Sequence, residues 1–160
     1  MPRIDASSLQ LQDRAIHIGR VSKVVKGGKR FHFNAIIVVG DGQGHVGVGL
    51  GKSKEVPDSI RKGVDRAKKG LLKVPLKEGT ISFPIKAHFS STTVVLRPAA
   101  PGTGVIAGST VRAIMELAGV KNVLSKVIGS TNPHNVTKAT MKALDMLRKI
   151  EYRAGLRTGS

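Results

Sequence analysis

Apolar and polar positions change phase once and period once along the first half of this chain. Across residues 14–25 the apolar side chains alternate, Ile16 and Ile18 in one phase and Val21 and Val25 in the other. A period of two predicts a strand, and the change of phase beside Gly19 predicts a bulge there. Lys26-Gly27-Gly28-Lys29-Arg30 follows as a turn with a basic rim. Residues 31–39 predict a second strand that ends in the unbroken run Ile36-Ile37-Val38-Val39. Asp41-Gly42-Gln43-Gly44 reads as a hairpin turn, because Asp-Gly tolerates the positive φ such turns need. Val46, Val48 and Leu50 then alternate with glycines as a third strand. From residue 55 the period lengthens. Val56, Ile60, Val64, Ala67 and Leu71 recur every three or four positions, which predicts a helix over 55–72 with that stripe inward. Pro57 falls in its first turn, where proline is tolerated.

After Pro75 the pattern predicts strands over 80–83, 85–89 and 92–97, then a Pro/Gly loop, residues 98–104. Ser109 is placed to cap a helix through Ala118, with Val111, Ile114, Leu117 and Ala118 inward and Gly119 as its stop. Residues 122–128 read as a strand. Asn132 caps a last helix with Pro133 at its first position and Val136, Thr140, Ala143, Leu144 and Leu147 as its stripe. The expected fold class is α+β: a β-β-β-α unit over 11–74 and a two-layer β-β-β-α-β-α unit over 75–150. Residues 1–10 are expected to form an arm and residues 151–160 a frayed tail.

Charge narrows the function. Lys and Arg number 27 against 10 Asp and Glu, a formal charge of +17. Both halves, divided between Lys73 and Val74, are basic, so this is no neutral domain with a basic tail. A polyanion relieves such self-repulsion, since Lys and Arg displace the counterions condensed on phosphates. There is no Cys, which rules out disulfides and Cys-based zinc sites. No apolar run approaches the ~18 residues of a membrane span, and the polar start with Asp5 and Asp13 does not resemble a secretory leader. A cytoplasmic protein with no membrane partner is the expectation.

Catalytic and nucleotide motifs fail in context. Gly51-Lys52-Ser53 precedes a helix, but a phosphate loop needs Gly where Val46 stands. Gly42-x-Gly44-x-x-Gly47 sits in a hairpin turn, and Gly102-x-Gly104-x-x-Ala107 has no βαβ unit around it. The five His residues have no metal-ligand spacing. Phe31 and Phe33 share a strand face but lack a partner aromatic motif, so they read as core. Asp41 reads as a turn residue. No enzyme activity, cofactor, metal or small-molecule substrate is expected.

Two basic sets remain. Arg20, Ser22, Lys23, Lys26, Lys29 and Arg30 surround the Gly27-Gly28 turn, whose missing side chains let backbone N–H groups reach phosphates. Lys52, Lys54, Arg61 and Lys62 lie at the start of the helix, where the helix end adds partial positive charge. Aromatics make up only 3% of the chain, which favours folded RNA read by shape over single strands read by stacking.

The same residues carry a family pattern. Arg20-Val21-Ser22-Lys23-Val24-Val25-Lys26-Gly27-Gly28, Val38-Val39-Gly40-Asp41-Gly42 and Gly51-Lys52 before Glu55-Val56-Pro57 resemble the bacterial small-subunit ribosomal protein five family. Gly102-Thr103-Gly104-Val105-Ile106-Ala107-Gly108 and Gly129-Ser130-Thr131-Asn132-Pro133 are also similar, and the resemblance spans roughly residues 10–147. It implies a double-stranded-RNA-binding-like N-terminal domain and a C-terminal domain with a left-handed crossover. It also implies a place in the small ribosomal subunit between body and neck, holding head and body rRNA together. Ribosomal proteins four and eight would be neighbours. The turn from Arg20 to Lys29 would reach neck rRNA. Gly102, Gly104 and Arg112 would meet ribosomal protein four in a contact tied to decoding accuracy, and the C-terminal helix would face ribosomal protein eight.

Overall fold

The computed structural model describes residues 9–158, with side chains for all of these except residues 23, 25, 29, 30 and 155–158. The expected arm therefore lies outside the described residues up to position 8, as do the last two residues of the expected tail. Two antiparallel strands, β1 (Gln12–Val25) and β2 (Gly28–Gly40), form a long hairpin, and β3 (His45–Ser53) pairs with β2 from Phe33↔Ser53 to Gly40↔Val46. Helix α1 (Val56–Lys69) packs on this sheet, and β4 (Leu72–Lys73) closes it in the order β1-β2-β3-β4. Strand β2 is central, which explains its unbroken apolar run. Ala35, Ile37 and Val39 face α1, whereas Val38 enters the larger core on the other side.

A short ribbon of β5 (Leu76–Lys77) and β6 (Thr80–Ile81) leads to the second sheet. That sheet contains β7 (Ile85–Phe89), β8 (Thr92–Pro98), β9 (Val105–Ile106) and β10 (Val123–Gly129), in the order β7-β8-β10-β9. Helices α2 (Ser109–Ala118) and α3 (Pro133–Thr158) contribute Ile114, Met115, Leu144 and Leu147 to the larger core, which also takes in Val94, Leu96 and Val123 of the second sheet. The fold is α+β, as expected, with differences of detail. The first of the three C-terminal strands stops at Ile81 and pairs with β5 rather than joining the sheet; Pro84 follows and can donate no ladder hydrogen bond. Strands β4, β5 and β9 are two residues each, too short for any period to register.

Three local expectations are corrected. The bulge lies between Ala15 and His17, where Ile16 has no partner on β2 and packs against the larger core; Gly19 pairs regularly with Asn34. Residue Ser109 is the first helical residue of α2, and Gly108 occupies its N-cap without a side-chain hydrogen bond. The fully buried face of α1 is Ser59, Gly63 and Ala67, while Ile60, Val64 and Leu71 flank it half-buried. Those small residues meet Gly47, Gly49 and Gly51 of β3. A Cβ on Gly51 would collide with the Ser59 carbonyl, one on Gly49 with the Gly63 carbonyl, and one on Gly47 with the Ala67 carbonyl. Glycine on the strand and small residues on the helix thus bring backbone against backbone.

The two sheets share one core, and the turn after β2 is also joined to α2 through the backbone. In the Asp41–Gly44 turn, Gly42 N–H donates to the Leu117 carbonyl at 2.9 Å and Gly44 N–H to the Ala118 carbonyl at 2.7 Å. A Cβ at Gly40 would strike Leu117, and one at Gly119 would strike Gly42. The turn itself is held by Asp41, whose Oδ1 accepts from Gln43 N–H at 2.8 Å and His45 N–H at 3.1 Å, with Oδ2 2.7 Å from His45 Nδ1. Burial pushes the Asp41 carboxyl up, but these hydrogen bonds and the His45 charge outweigh it and hold the group below the ordinary carboxylate value.

Candidate nucleic-acid interface

The β1–β2 hairpin outruns the rest of its sheet. Pairing with β3 ends at Phe33↔Ser53, while β1 and β2 continue paired to Val25↔Gly28. Along the distal ribbon, residues 20–32, the apolar side chains that are described are open: Val24 is 77% exposed and Val21 44%. Phe31 belongs to this ribbon and not to the core. It is 39% exposed, and the Arg20 guanidinium lies over its ring at 3.7 Å from the centroid. That cation–π contact stiffens the stalk by roughly 0.5–1 kcal/mol at an exposed site and leaves the guanidinium edge free to donate. The tip is Lys26-Gly27, with Gly27 at φ 101° and Gly28 at φ 144°. Nothing lies within 4 Å of either position where a Cβ would be. Arg20, Ser22 and Lys26 are exposed. Residues Lys23, Lys29 and Arg30 share the ribbon backbone; their side chains lie outside the described part.

The second basic set gathers where the ribbon leaves the sheet. A cleft of about 470 Å³ is lined by His32, Lys52, Ser53, Lys54, Glu55, Asp58 and Lys62. Register fixes the approach, since Asn34 pairs with Lys52 and Phe33 with Ser53, so His32 stands just past the end of β3. The Lys62 ammonium reaches back to the Lys52 carbonyl at 3.4 Å. Arg61 does not line the cleft; it pairs with Asp58 at 3.2 Å on the helix surface. Two carboxylates, Glu55 and Asp58, therefore dilute this set. Among the described residues no group of His, Cys, Asp and Glu could hold a metal ion.

The third predicted group is elsewhere, on the second unit. Gly102 and Gly104 lie at φ 91° and 80°, and both N–H groups donate to Asn122 Oδ1, at 3.1 and 2.9 Å. Asn122 is only 8% exposed and is the anchor of this loop. Arg112, on the exposed side of α2, donates to the Val105 carbonyl at 3.0 Å, and its Nε lies 3.8 Å from Glu116. Glu116 also accepts Arg14 of β1 at 2.9 Å, an ion pair that ties the first sheet to α2.

Residues 11–75 match the family described as "Ribosomal protein S5, N-terminal domain", and residues 87–157 match "Ribosomal protein S5, C-terminal domain". The chain belongs to the ribosomal protein S5 family. It is 56% identical over 157 residues to the small ribosomal subunit protein uS5 of Syntrophobacter fumaroxidans, spanning 98% of this chain and 95% of that protein. With the protein of the same name from Chloroflexus aurantiacus it shares 55% over 155 residues, 97% of this chain and 87% of the relative. The Lawsonia intracellularis protein of that name is 50% identical over 154 residues, 96% and 94%. As a member of the S5 family the chain is a structural protein of the small ribosomal subunit and not an enzyme. Its setting is the cytoplasm, with rRNA and other ribosomal proteins around it.

Three residues that these groups contain were not singled out by sequence reasoning. His32 was set aside with the other histidines for want of metal-ligand spacing, and it lines the cleft. Asn122 gave no signal, because a lone Asn at a strand start is an ordinary turn residue. Glu116 lies on the exposed side of α2, and only the packing of β1 against α2 makes it a bridge.

Proposed function

We propose that this chain binds small-subunit rRNA between body and neck, with the hairpin tip and the adjoining cleft as its principal RNA contacts. Two units, residues 11–74 and 75–150, hold that contact at a fixed angle to a protein-facing side. Gly102, Gly104 and Arg112 meet ribosomal protein four there, α3 faces ribosomal protein eight, and the contact with protein four influences decoding accuracy. The N-terminal unit works in the manner of a double-stranded-RNA-binding domain, through phosphates and groove shape. The observation that carries the reading is the projecting ribbon. It exposes cations and a side-chain-free Gly27-Gly28 tip beyond any covering element, which suits close approach of backbone N–H groups to phosphate oxygens.

Gly28 supplies the test. Because φ there is 144°, any side chain strains the turn, so Gly28→Asn is the control for Gly28→Asp. The two differ chiefly by one negative charge. On small-subunit core particles lacking this chain, Gly28→Asp is expected to bind at least about tenfold more weakly than Gly28→Asn, the loss of one to two phosphate contacts. Hydroxyl-radical protection of neck rRNA should weaken in parallel. Equal binding by the two variants, with unchanged protection, would remove the tip from the interface.

A further inference from the structure

The second sheet has one covered and one open face. Helices α2 and α3 pack on the side of Ile85, Ala87, Val94, Leu96 and Val123, all buried. The alternate residues face away from them. Register assembles those residues into rows: Lys86 pairs with Val95 and Val95 with Lys126, and one step along the strands Arg97 pairs with Leu124. Lys86, Arg97 and Lys126 are exposed. None of the four strands contains an Asp or Glu. With two inter-strand steps of about 4.8 Å, the Cα atoms of Lys86 and Lys126 stand roughly 10 Å apart, with an aliphatic side chain between them.

We propose that this open face is a second RNA surface, taking the shallow minor groove of an RNA duplex. The inference rests on the rRNA-binding reading above but concerns a different side of the molecule from the hairpin. A-form RNA presents a wide, shallow minor groove bordered by phosphates and floored by ribose. A sheet face with cations on either side of Val95 matches that profile: lysines to the two phosphate rims, aliphatic groups to the sugars. Uncompensated cations in such a face call for an anionic partner. The aliphatics do not form the contiguous patch that marks a protein-docking site, because Lys126 stands between Leu124 and Ile128 on the same strand face.

The test uses the full chain with Lys86, Arg97 and Lys126 all replaced by Gln. These side chains are exposed, so the variant keeps its fold, checked by circular dichroism. Its binding to core particles lacking this chain is measured from 50 to 200 mM salt beside the unaltered chain. Three lost phosphate contacts flatten the slope of log K against log salt by about 2 to 3 units, so the unaltered chain loses roughly 40-fold more affinity than the variant over that range. Hydroxyl-radical protection of a duplex segment distinct from the hairpin footprint should disappear. An unchanged slope in a folded variant overturns the proposal, and so does weakened binding with every rRNA protection retained, which would assign the face to an acidic protein surface. If the unaltered chain itself binds without salt dependence, the underlying rRNA reading fails instead.

Discussion

Replacing Gly49 with Ala adds one methyl group at the point where β3 and α1 touch through their backbones. The new Cβ would meet the Gly63 carbonyl and the Ala67 amide nitrogen, with Arg66 Cβ at 2.9 Å. Two of these are helix backbone, which cannot rotate aside, so α1 must lift from the sheet. Overpacking of this sort costs about 1–3 kcal/mol. A smaller opposing effect, about 0.4–1 kcal/mol, comes from the reduced freedom of the unfolded chain when Gly becomes Ala. The net expectation is a loss of about 1–2 kcal/mol, an appreciable share of the ~5–15 kcal/mol that holds a domain together. The small core of Ala35, Ile37, Val39 and Ala67 has little else to compensate with. Gly70→Ala is the control: its nearest neighbours are no closer than 3.7 Å and its φ is −102°, so its cost should stay within about 0.5 kcal/mol. Urea unfolding of the whole chain, followed by circular dichroism, reads both. If Gly49→Ala proves as stable as Gly70→Ala, close backbone approach is not what fixes α1 on its sheet.

Three further outcomes are expected. Asn122→Ala leaves the Gly102 and Gly104 N–H groups without their acceptor and should cost about 2 kcal/mol, with faster amide exchange at those two glycines; protected amides would count against the anchor. Asp41 has a lowered pKa in the folded chain, so its contribution to stability is complete above its unfolded value of about 3.8 and is lost as pH falls from there through the folded value. The stability gap between the unaltered chain and Asp41→Asn should therefore narrow below that pH, and a gap that stays constant down to pH 2 would refute the linkage. Arg112→Ala removes the hydrogen bond to the Val105 carbonyl and the approach to Glu116. It should shift misreading frequency in cells with little loss of subunit assembly, and unaltered misreading would reject the accuracy role.

Much of this fold was readable from period alone. The helix α2 matches its expected span, Asn132 caps α3 through His134 N–H at 2.9 Å, and the Asp41 turn is where the Asp-Gly pair put it. The errors share a physical origin. A hydrophobicity period reports burial by side chains, whereas α1 is seated by the absence of side chains, Ser59 and Gly63 against Gly47, Gly49 and Gly51. The same limit misplaced the bulge. Ile18 and Val21 are both exposed, so their phase carried no information about pairing, whereas the true bulge at Ile16 serves the core. Phe31 was read as core for the same reason. Charge and glycine spacing single out the hairpin because those properties are local. The His32 side of the cleft and the Glu116 bridge depend on which elements pack together, which one-dimensional spacing does not encode.

Binding of the unaltered chain to core particles lacking it, followed across salt concentration, bears most directly on the claim that a cationic scaffold is neutralised by rRNA phosphates. A steep linear fall of log K with log salt is expected, with a slope set by several phosphate contacts at about 0.9 each. A flat dependence would mean that protein contacts alone hold the chain in the subunit, and the hairpin would lose its assigned role.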